Sequence, residues 1–263
     1  MMLVCLGVGG PAAAWAQAAG CVDPRLQAVT LPQTLPDSAP DQAPYDRLFV
    51  HEVSLGVGHL RPVDSGYMWD WYARVRLPLF AEPGAAPAAW IADGWLVDSR
   101  SSQVRPLGTG GMIETGYETP SFIVAERRDD GWMRMRYAAD GPDDGHAWIH
   151  ECLLTVGPDT LVFESWVDRL TSDDISPLFF HQEVRHSLRV GPEVNAERVL
   201  WIPAAADAYD MQPLEVRGDW MRVAVRIPPT YCVGDEVDSA RYEGWVKWRD
   251  EEGPWLWYYT RGC

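Results

Sequence analysis

A short tryptophan-containing phrase occurs twice in this chain. Residues 217–225 read "RGDWMRVAV" and residues 129–137 read "DDGWMRMRY". Apolar residues recur at every second position in both phrases, which is the period of a β-strand with one buried face. The residues predicted to face a core are Met221, Val223, Val225 and Ile227 in the second phrase and Met133, Met135 and Tyr137 in the first. Trp220 and Arg222, like Trp132 and Arg134, are predicted to face outward.

The surroundings of the two phrases also correspond. Trp148 and Trp245 each follow downstream, in the steps "AWI" and "GWV". Upstream, "LFAEPG" and "LRVGPE" both place an apolar strand end before a proline turn. Within each phrase, a Gly or Asp turn precedes the tryptophan and Met-Arg follows it. With the upstream and downstream segments, these make four elements in the same order. Four are much harder to obtain by chance than one phrase, so the pattern predicts two copies of one small β unit.

This order resembles the bacterial SH3-like family, whose members carry an "LRVGPS"-type opening, a "GDWxRV" strand and a "GWV" strand. The resemblance is clear in residues 186–249 and weaker in residues 73–154. It implies a mainly β fold of two small SH3-like barrels of five or six strands. It also implies an interaction module of the kind found in secreted and envelope proteins, because this fold hosts many binding functions.

The resemblance suggests that the two repeated tryptophans bind a ligand. In eukaryotic SH3 relatives, the tryptophan that opens this strand lines the peptide groove, which favours such a role for Trp132 and Trp220. Phe80 could supply a second groove aromatic in the first unit, whereas Arg189 occupies the comparable region of the second. An outward tryptophan beside an arginine either forms a recognition surface or packs under a flanking loop, and the sequence leaves both open.

The candidate ligand-binding residues are therefore aromatic and cationic side chains on predicted strands. They are Trp132, Arg134, Trp220, Arg222, Trp245, Trp255 and Trp257. In "WLWYY", strict alternation places Trp255, Trp257 and Tyr259 on one face of the last strand.

The remaining segments are assigned around the two units. The predicted organisation is a signal peptide at 1–20, a Pro-rich spacer at 21–44, a first SH3-like barrel with long loops at 45–158, a linking helix at 159–175 and a second barrel at 176–263. The helix is predicted from Phe163, Trp166, Val167 and Leu170 at i, i+3, i+4 and i+7, with Asp159 as the N-cap.

The cysteines and the N-terminal segment predict export. The uncharged residues 1–20 end either in an A-x-A cleavage site or in a lipobox-like "AAGC" that would lipidate Cys21. Simple cleavage leaves four cysteines, an even set suited to an oxidising compartment, for which we predict the pairs Cys232–Cys263 and Cys21–Cys152. The expected location is therefore the periplasm or the secreted fraction, with a lipoprotein anchored through Cys21 as the alternative.

Charge and motifs narrow the function classes. The net charge of -16 disfavours a nucleic-acid partner, which needs clustered Lys and Arg, and no segment after residue 20 is apolar for long enough to span a bilayer. Common catalytic, phosphate-loop and dinucleotide motifs are absent from the sequence. No cofactor or metal is predicted: the loop from Asp140 to Glu151 has proline at the third calcium-ligand position, and His146, His150 and Cys152 on a strand cannot converge on one ion.

The predicted function is an exported, non-catalytic binding protein of the bacterial envelope. Its partner would be an envelope protein or peptide, or a cell-wall glycan, contacted by exposed Trp and Arg faces. Two alternatives remain open. One is a structural or assembly subunit of an envelope complex, and the other is a hydrolase that uses the loop carboxylates Asp143, Asp144 or Glu151.

Overall fold

The computed structural model describes residues 31, 35–36, 54–63, 71–101, 103–108, 111–138, 145–154, 160–173, 175, 177–231 and 238–260. This part of the chain is mainly β, as predicted, with antiparallel sheets and one short α-helix. No helix within it is long and apolar enough to cross a membrane.

The first sheet contains ten strands drawn from the first two-thirds of the chain. They are β1 (Gly58–Pro62), β2 (Arg76–Phe80), β3 (Pro87–Ala92), β4 (Trp95–Asp98), β5 (Val104–Pro106), β6 (Met112–Gly116), β7 (Thr119–Arg127), β8 (Trp132–Arg136), β9 (His146–His150) and β10 (Leu161–Ser165). They pair in the order β10-β1-β7-β8-β9-β2-β3-β4-β5, and β6 pairs with β7.

The second sheet contains seven strands from the last third. They are β11 (Leu178–Phe180), β12 (His186–Arg189), β13 (Arg198–Ile202), β14 (Asp210–Arg217), β15 (Trp220–Ile227), β16 (Ala240–Lys247) and β19 (Leu256–Tyr258). Their order is β13-β12-β16-β15-β14-β11-β19, and β17 (Arg249–Asp250) pairs with β18 (Gly253–Pro254) in a separate hairpin. Neither sheet closes into a barrel within the described residues.

Five strands of each sheet share one arrangement. The path β7-β8-β9-β2-β3 in the first sheet matches β14-β15-β16-β12-β13 in the second, strand for strand along the chain. Phe80 of β2 pairs with Trp148 of β9, and Arg189 of β12 pairs with Trp245 of β16. A register shift falls immediately before Phe80 and immediately before Arg189. The repeated phrases therefore occupy equivalent strands, β8 and β15.

The buried faces of these two strands are those that the alternation predicts. The buried side chains are Met133, Met135 and Tyr137 in the first sheet and Met221, Val223 and Val225 in the second. Ile227, at the end of β15, is half-buried and packs against the same core. Inward-facing apolar side chains are therefore sufficient to explain the spacing that the two phrases share, and no ligand is needed to explain it.

The predicted linking helix is shorter than expected. The α-helix, α1, spans only Trp166–Leu170, and its N-cap is Ser165, whose hydroxyl accepts a hydrogen bond from the backbone N–H of Asp168 at 3.1 Å. Asp159, the predicted cap, lies outside the described residues. Residues 161–165 form β10 because they pair along their full length with β1, so sheet pairing overrides the helical spacing there.

Two hydrophobic cores lie under the two sheets, and the first part of the chain contributes to both. Leu55, Ile113, Ile123, Trp166 and Leu170 all belong to the core of the second sheet. The hairpin of β17 and β18 turns at Glu251 and Glu252, and Gly253, the first residue of β18, has a φ of 131°. Its Glu252 carbonyl accepts hydrogen bonds from the N–H of residue 56 and the hydroxyl of residue 54.

Candidate functional site

An open groove of about 210 Å³ crosses the outer face of the second sheet. Its aromatic walls are Trp201, Trp220 and Trp255. Its described cations are Arg185, Arg189 and Lys247, and no described residue in its lining is acidic. Two of these tryptophans, Trp220 and Trp255, are among the ligand-binding residues predicted from the sequence.

The groove runs across the strands rather than along them. Trp201 of β13 lies opposite Ser187 of β12, and Trp220 of β15 lies opposite Lys247 of β16. Continuing the antiparallel pairing of β12 with β16 by two residues sets Ser187 opposite Lys247. These four residues form one transverse row. Because neighbouring strands are ~4.8 Å apart, the two tryptophans at the ends of the row are separated by roughly 14 Å.

Local contacts orient the tryptophans. The ring N–H of Trp255 donates to Oδ2 of Asp250 at 3.0 Å, and Nζ of Lys247 lies 4.9 Å from the Trp255 ring centroid. The guanidinium of Arg198 lies 4.2 Å from the ring centroid of Trp201. Trp201 nevertheless remains 49% exposed, and the other two rings are half-buried. The groove therefore presents oriented aromatic surfaces that are still open to a ligand.

The cations of the groove lack carboxylate partners. Elsewhere, Arg222 contacts Glu215 and Glu243 within 3.4 Å, which is typical of the many ion pairs on this acidic chain. In contrast, no carboxylate of the described residues lies within 4.0 Å of the three groove cations, Arg185, Arg189 and Lys247. The carboxylate of Asp250, which accepts from the ring N–H of Trp255, interacts electrostatically with Lys247. The three cations therefore outnumber the carboxylates that reach the described groove.

His186 forms part of the groove wall and is uncharged near neutral pH. Its ring stacks on Phe180 with the centroids 3.5 Å apart and the planes at 4°. Burial, and to a lesser extent the nearby His181, lowers the pKa of His186 to about 4. Its buried Nε2 has no hydrogen-bond partner among the described residues. The residue therefore supports the groove as a neutral ring rather than as a further cation.

The equivalent region of the first sheet is closed by its own side chains. Trp132, the counterpart of Trp220, is only 6% exposed and packs with Phe80 and Leu153. The Phe80 and His150 rings contact it edge-on, at centroid distances of 5.2 and 5.1 Å. Trp148 packs against the same cluster. Trp132 is therefore a packing residue, and its ring presents no open face to a ligand.

Two substitutions between the units account for this difference. Arg189 stands where the first unit has Phe80, since both pair with the tryptophan of the "AWI" or "GWV" strand. Lys247 stands opposite Trp220 in the way that His150 stands opposite Trp132. The first unit also has a 3-10 turn at Glu151–Leu153 directly after β9, which carries a leucine onto its tryptophan. Charged side chains thus replace an aromatic filler in the second unit.

The other predicted binding residues lie outside the groove lining. Trp245 is buried beneath the guanidinium of Arg217, 5.0 Å from its ring centroid, and Trp257 is buried against Trp166. Arg134 is half-buried opposite Trp148. Arg222 lies between Glu215 and Glu243.

Of the tryptophans and cations of the groove, four are missing from the predicted binding residues: Trp201, Arg185, Arg189 and Lys247. The signal that could have found Trp201 is the alternation in "RVLWI", which places it and Val199 on the outer face of β13.

Most cysteine and carboxylate predictions fall outside the described residues. Cys21, Cys232 and Cys263 lie there, so the pairing with Cys152 and the pair Cys232–Cys263 stay predictions. Asp143 and Asp144 lie there as well. Glu151 is described, and its carboxylate lies 3.4 Å from the guanidinium of Arg127. Among the described residues, no group of three His, Cys, Asp or Glu side chains is arranged to hold a metal ion.

A second polar cluster lies between the two cores and is buried rather than open. His59 is fully buried on β1, stacks on Trp166 at 4.9 Å, and has its Nε2 2.9 Å from Oε2 of Glu164. The two atoms are close, but the angle between the groups is outside hydrogen-bond geometry. Arg61 and Arg169 lie 2.9 and 4.0 Å from the same carboxylate oxygen. The cluster therefore holds one carboxylate among three basic side chains.

This cluster also ties the two sheets together. Nε of Arg169 donates to the hydroxyl of Tyr258 at 3.2 Å, and that hydroxyl donates to the carbonyl of Thr115 at 2.8 Å. Tyr258 belongs to β19 of the second sheet and Thr115 to β6 of the first. Because these side chains are largely buried and bond to one another across the two sheets, we assign the cluster a structural role.

Ionisation in this cluster is strongly shifted. Burial lowers the pKa of His59, and this outweighs the opposing effect of its contact with Glu164. For Glu164, burial acts to raise the pKa, but the contact with His59 and the charges of His59, Arg61 and Arg169 together lower it to about 2. At neutral pH the carboxylate is charged and the imidazole is neutral.

Acidification is expected to destabilise the protein through its buried histidines. Because His59 and His186 have lower pKa values in the folded state than the ordinary value of 6.5, the unfolded chain binds their protons first. The free energy of unfolding should therefore fall as the pH is lowered from about 7 towards 4. Urea denaturation at several pH values measures this. His186→Phe keeps a ring on Phe180 but cannot titrate, so its profile should be flatter; a profile as steep as wild type would contradict the assignment.

Comparisons with known proteins returned no match, whether against family models, curated proteins or solved structures.

Proposed function

We propose that the protein is an exported, non-catalytic binding protein of the bacterial envelope that recognises a peptide or peptidoglycan component through the groove of its second sheet. The observation that carries the proposal is the set of partly exposed tryptophans and of cations with no carboxylate within 4.0 Å among the described residues, across β12, β13, β15 and β16. Aromatic surfaces with a few polar groups between them are typical of recognition sites. Export and an envelope location rest on the N-terminal segment and the cysteine count alone.

The proposal includes an SH3-like architecture for the two units. It is supported by the five strands that share one order and one register in both sheets, with the repeated phrases on equivalent strands. It is also supported by the position of Trp220, which opens β15 and lines the groove as the resemblance implies. In the first unit the corresponding position is filled, so we assign ligand binding to the second unit alone.

The test is a comparison of single tryptophan substitutions. Trp220→Ala is expected to weaken co-sedimentation with purified peptidoglycan, or capture of an envelope peptide, by at least about tenfold, because it removes a central aromatic contact. Tyr242→Ala is the control, since this residue is 39% exposed on β16 but lies outside the groove lining. Equal losses in the two variants, or no loss with Trp220→Ala, would refute the site.

A structural or assembly subunit is the second candidate, and one observation favours it. The buried contacts from His59 through Arg169 to Thr115 hold the two sheets together, as a structural component requires. This candidate predicts that substitutions in the groove leave assembly intact, whereas substitutions that disrupt the junction abolish it. Release of soluble fragments from peptidoglycan by the purified protein would contradict both candidates in favour of a hydrolase.

A further inference from the structure

We infer that the groove binds an extended acidic peptide segment of a partner protein, with carboxylates between the tryptophans and apolar side chains on them. The inference rests on the proposed binding function and deepens it by naming the ligand class. It follows from three properties of the groove: the hydrogen-bonding character of its lining, its local charge and the spacing of its tryptophans.

The lining supplies almost only hydrogen-bond donors. Arg185, Arg189 and Lys247 donate and cannot accept, and the described lining contains no Asp, Glu, Asn or Gln. Only Ser187 and the neutral ring of His186 offer side-chain acceptors. Sugar hydroxyls donate as well as accept, so a neutral glycan would leave many of its donors unpaired. A ligand rich in carboxylate and carbonyl oxygens satisfies the groove better.

The local charge points to the same ligand. The chain carries a net charge of -16, yet this groove gathers three cations that have no carboxylate within 4.0 Å among the described residues. Charges farther than about 10 Å away are largely screened at an ionic strength of 0.1 M, so nearby groups decide the sign of the field that a bound ligand meets. At the groove, three cations stand against the carboxylate of Asp250, which is bonded to Trp255 and interacts with Lys247. That field favours anions. Charge-assisted hydrogen bonds to carboxylates are also shorter and stronger than neutral ones.

The spacing suits an extended chain. The roughly 14 Å between Trp201 and Trp220 is spanned by about four residues of extended peptide at ~3.3 Å per residue. Lys247 and Ser187 lie between the two tryptophans. Arg189 lies two residues after Ser187 on the same face of β12, so it adds a second positive charge near the middle of the groove. Leucine or proline side chains about four residues apart would therefore cover the two rings, while intervening carboxylates would face the cations.

The probe for the test is a synthetic peptide. A fluorescein-labelled eight-residue peptide, with two leucines four residues apart and glutamates between them, is titrated with the full chain and its anisotropy is measured. The same peptide with every glutamate replaced by glutamine is the matched ligand control. We expect the glutamate peptide to bind at least about tenfold more tightly than the glutamine peptide, since only carboxylates can form charge-assisted hydrogen bonds with the groove cations.

Matched protein variants separate the charge effect from simple loss of structure. Each of the variants Arg185→Gln and Lys247→Gln should bind the glutamate peptide about fivefold or more weakly than wild type does. The affinity for the glutamine peptide should not change. Arg105→Gln is the control, because this exposed arginine lies on β5, far along the chain from the groove, and should change neither affinity. Wild-type circular dichroism in all three variants confirms folding.

Several outcomes would overturn the inference. Equal affinity for the glutamate and glutamine peptides would do so. So would Trp220-dependent binding of an N-acetylglucosamine oligomer or an oligogalacturonate at least as tight as that of the glutamate peptide; this would refute the peptide and leave the proposed binding function in place. A concentration-dependent dimer that Trp201→Ala dissociates would assign the groove to a second copy. If the protein binds the glutamate peptide but no envelope material, the proposed envelope function is refuted and the inferred acidic-peptide ligand is supported.

Discussion

Replacing Trp166 with alanine is expected to lower the free energy of unfolding by about 3–5 kcal/mol, as for other buried tryptophans. The side chain is 2% exposed at the start of α1. Its ring stacks on His59 and meets Trp257 edge-on at 5.3 Å, and its N–H donates to the carbonyl of Leu55 at 2.7 Å. The substitution therefore removes a large apolar ring, leaves a buried carbonyl unpaired and exposes a buried imidazole at once.

Urea or guanidinium denaturation followed by circular dichroism measures this change. Trp201→Ala is the matched control, since it removes the same ring from a site that is 49% exposed and should alter stability by no more than about 0.5 kcal/mol. A loss below about 1 kcal/mol for Trp166→Ala would show that the junction does not depend on this side chain.

The second large effect is expected at Glu164. Glu164→Ala removes the carboxylate that lies near His59, Arg61 and Arg169, and Nε of Arg61 loses the carboxylate oxygen that lies 2.9 Å away. Removing one partner of a buried charge cluster typically costs about 3–5 kcal/mol. We expect a loss of about 3 kcal/mol at pH 7, because Arg61 retains some access to water.

The pH dependence of the Glu164 variants provides an independent check. The pKa of this carboxylate is about 2 in the folded state, below its ordinary value of 4.5, so its contribution is complete above pH 4.5 and is lost as the pH falls towards 2. Glu164→Gln keeps the shape of the side chain but cannot titrate. Its unfolding free energy should therefore fall less steeply than that of wild type between pH 4.5 and 2. Parallel profiles would contradict the charged cluster.

The fold class and the strand faces could be predicted from the sequence because both depend on local alternation. Met221, Val223 and Val225 recur with the period of a strand, and their burial follows from that period alone. Such features need only the geometry of a pleated strand, so no knowledge of distant contacts is required.

The difference between Trp132 and Trp220 could not be predicted in this way. Both open equivalent strands, and the sequence left binding and packing equally open for each. The outcome depends on residues distant in the sequence, because Phe80 fills the space beside Trp132 whereas Arg189 leaves it open beside Trp220. A strand period states which way a side chain points, but it does not state what covers it.

The predicted length of the helix was wrong for a related reason. The spacing of Phe163, Trp166 and Leu170 fits one face of a helix, yet Phe163 packs against the core of the first sheet and the other two against that of the second. One helix face cannot serve two cores on different sides of the chain. The backbone therefore changes from strand to helix at Ser165, and the apparent period combines two separate patterns.

The core of the second sheet contains residues from both ends of the described chain, and this constrains how the molecule folds. Leu55 and Ile123 pack with Leu256 in one cluster, so that core cannot be completed until segments some two hundred residues apart have met. Contacts of such long sequence separation slow folding, and they couple the two sheets into a single cooperative transition. An isolated C-terminal half would lack Leu55 and Trp166 and would expose the apolar surface they cover. The two repeated units are thus equivalent in strand order but are not independent in folding.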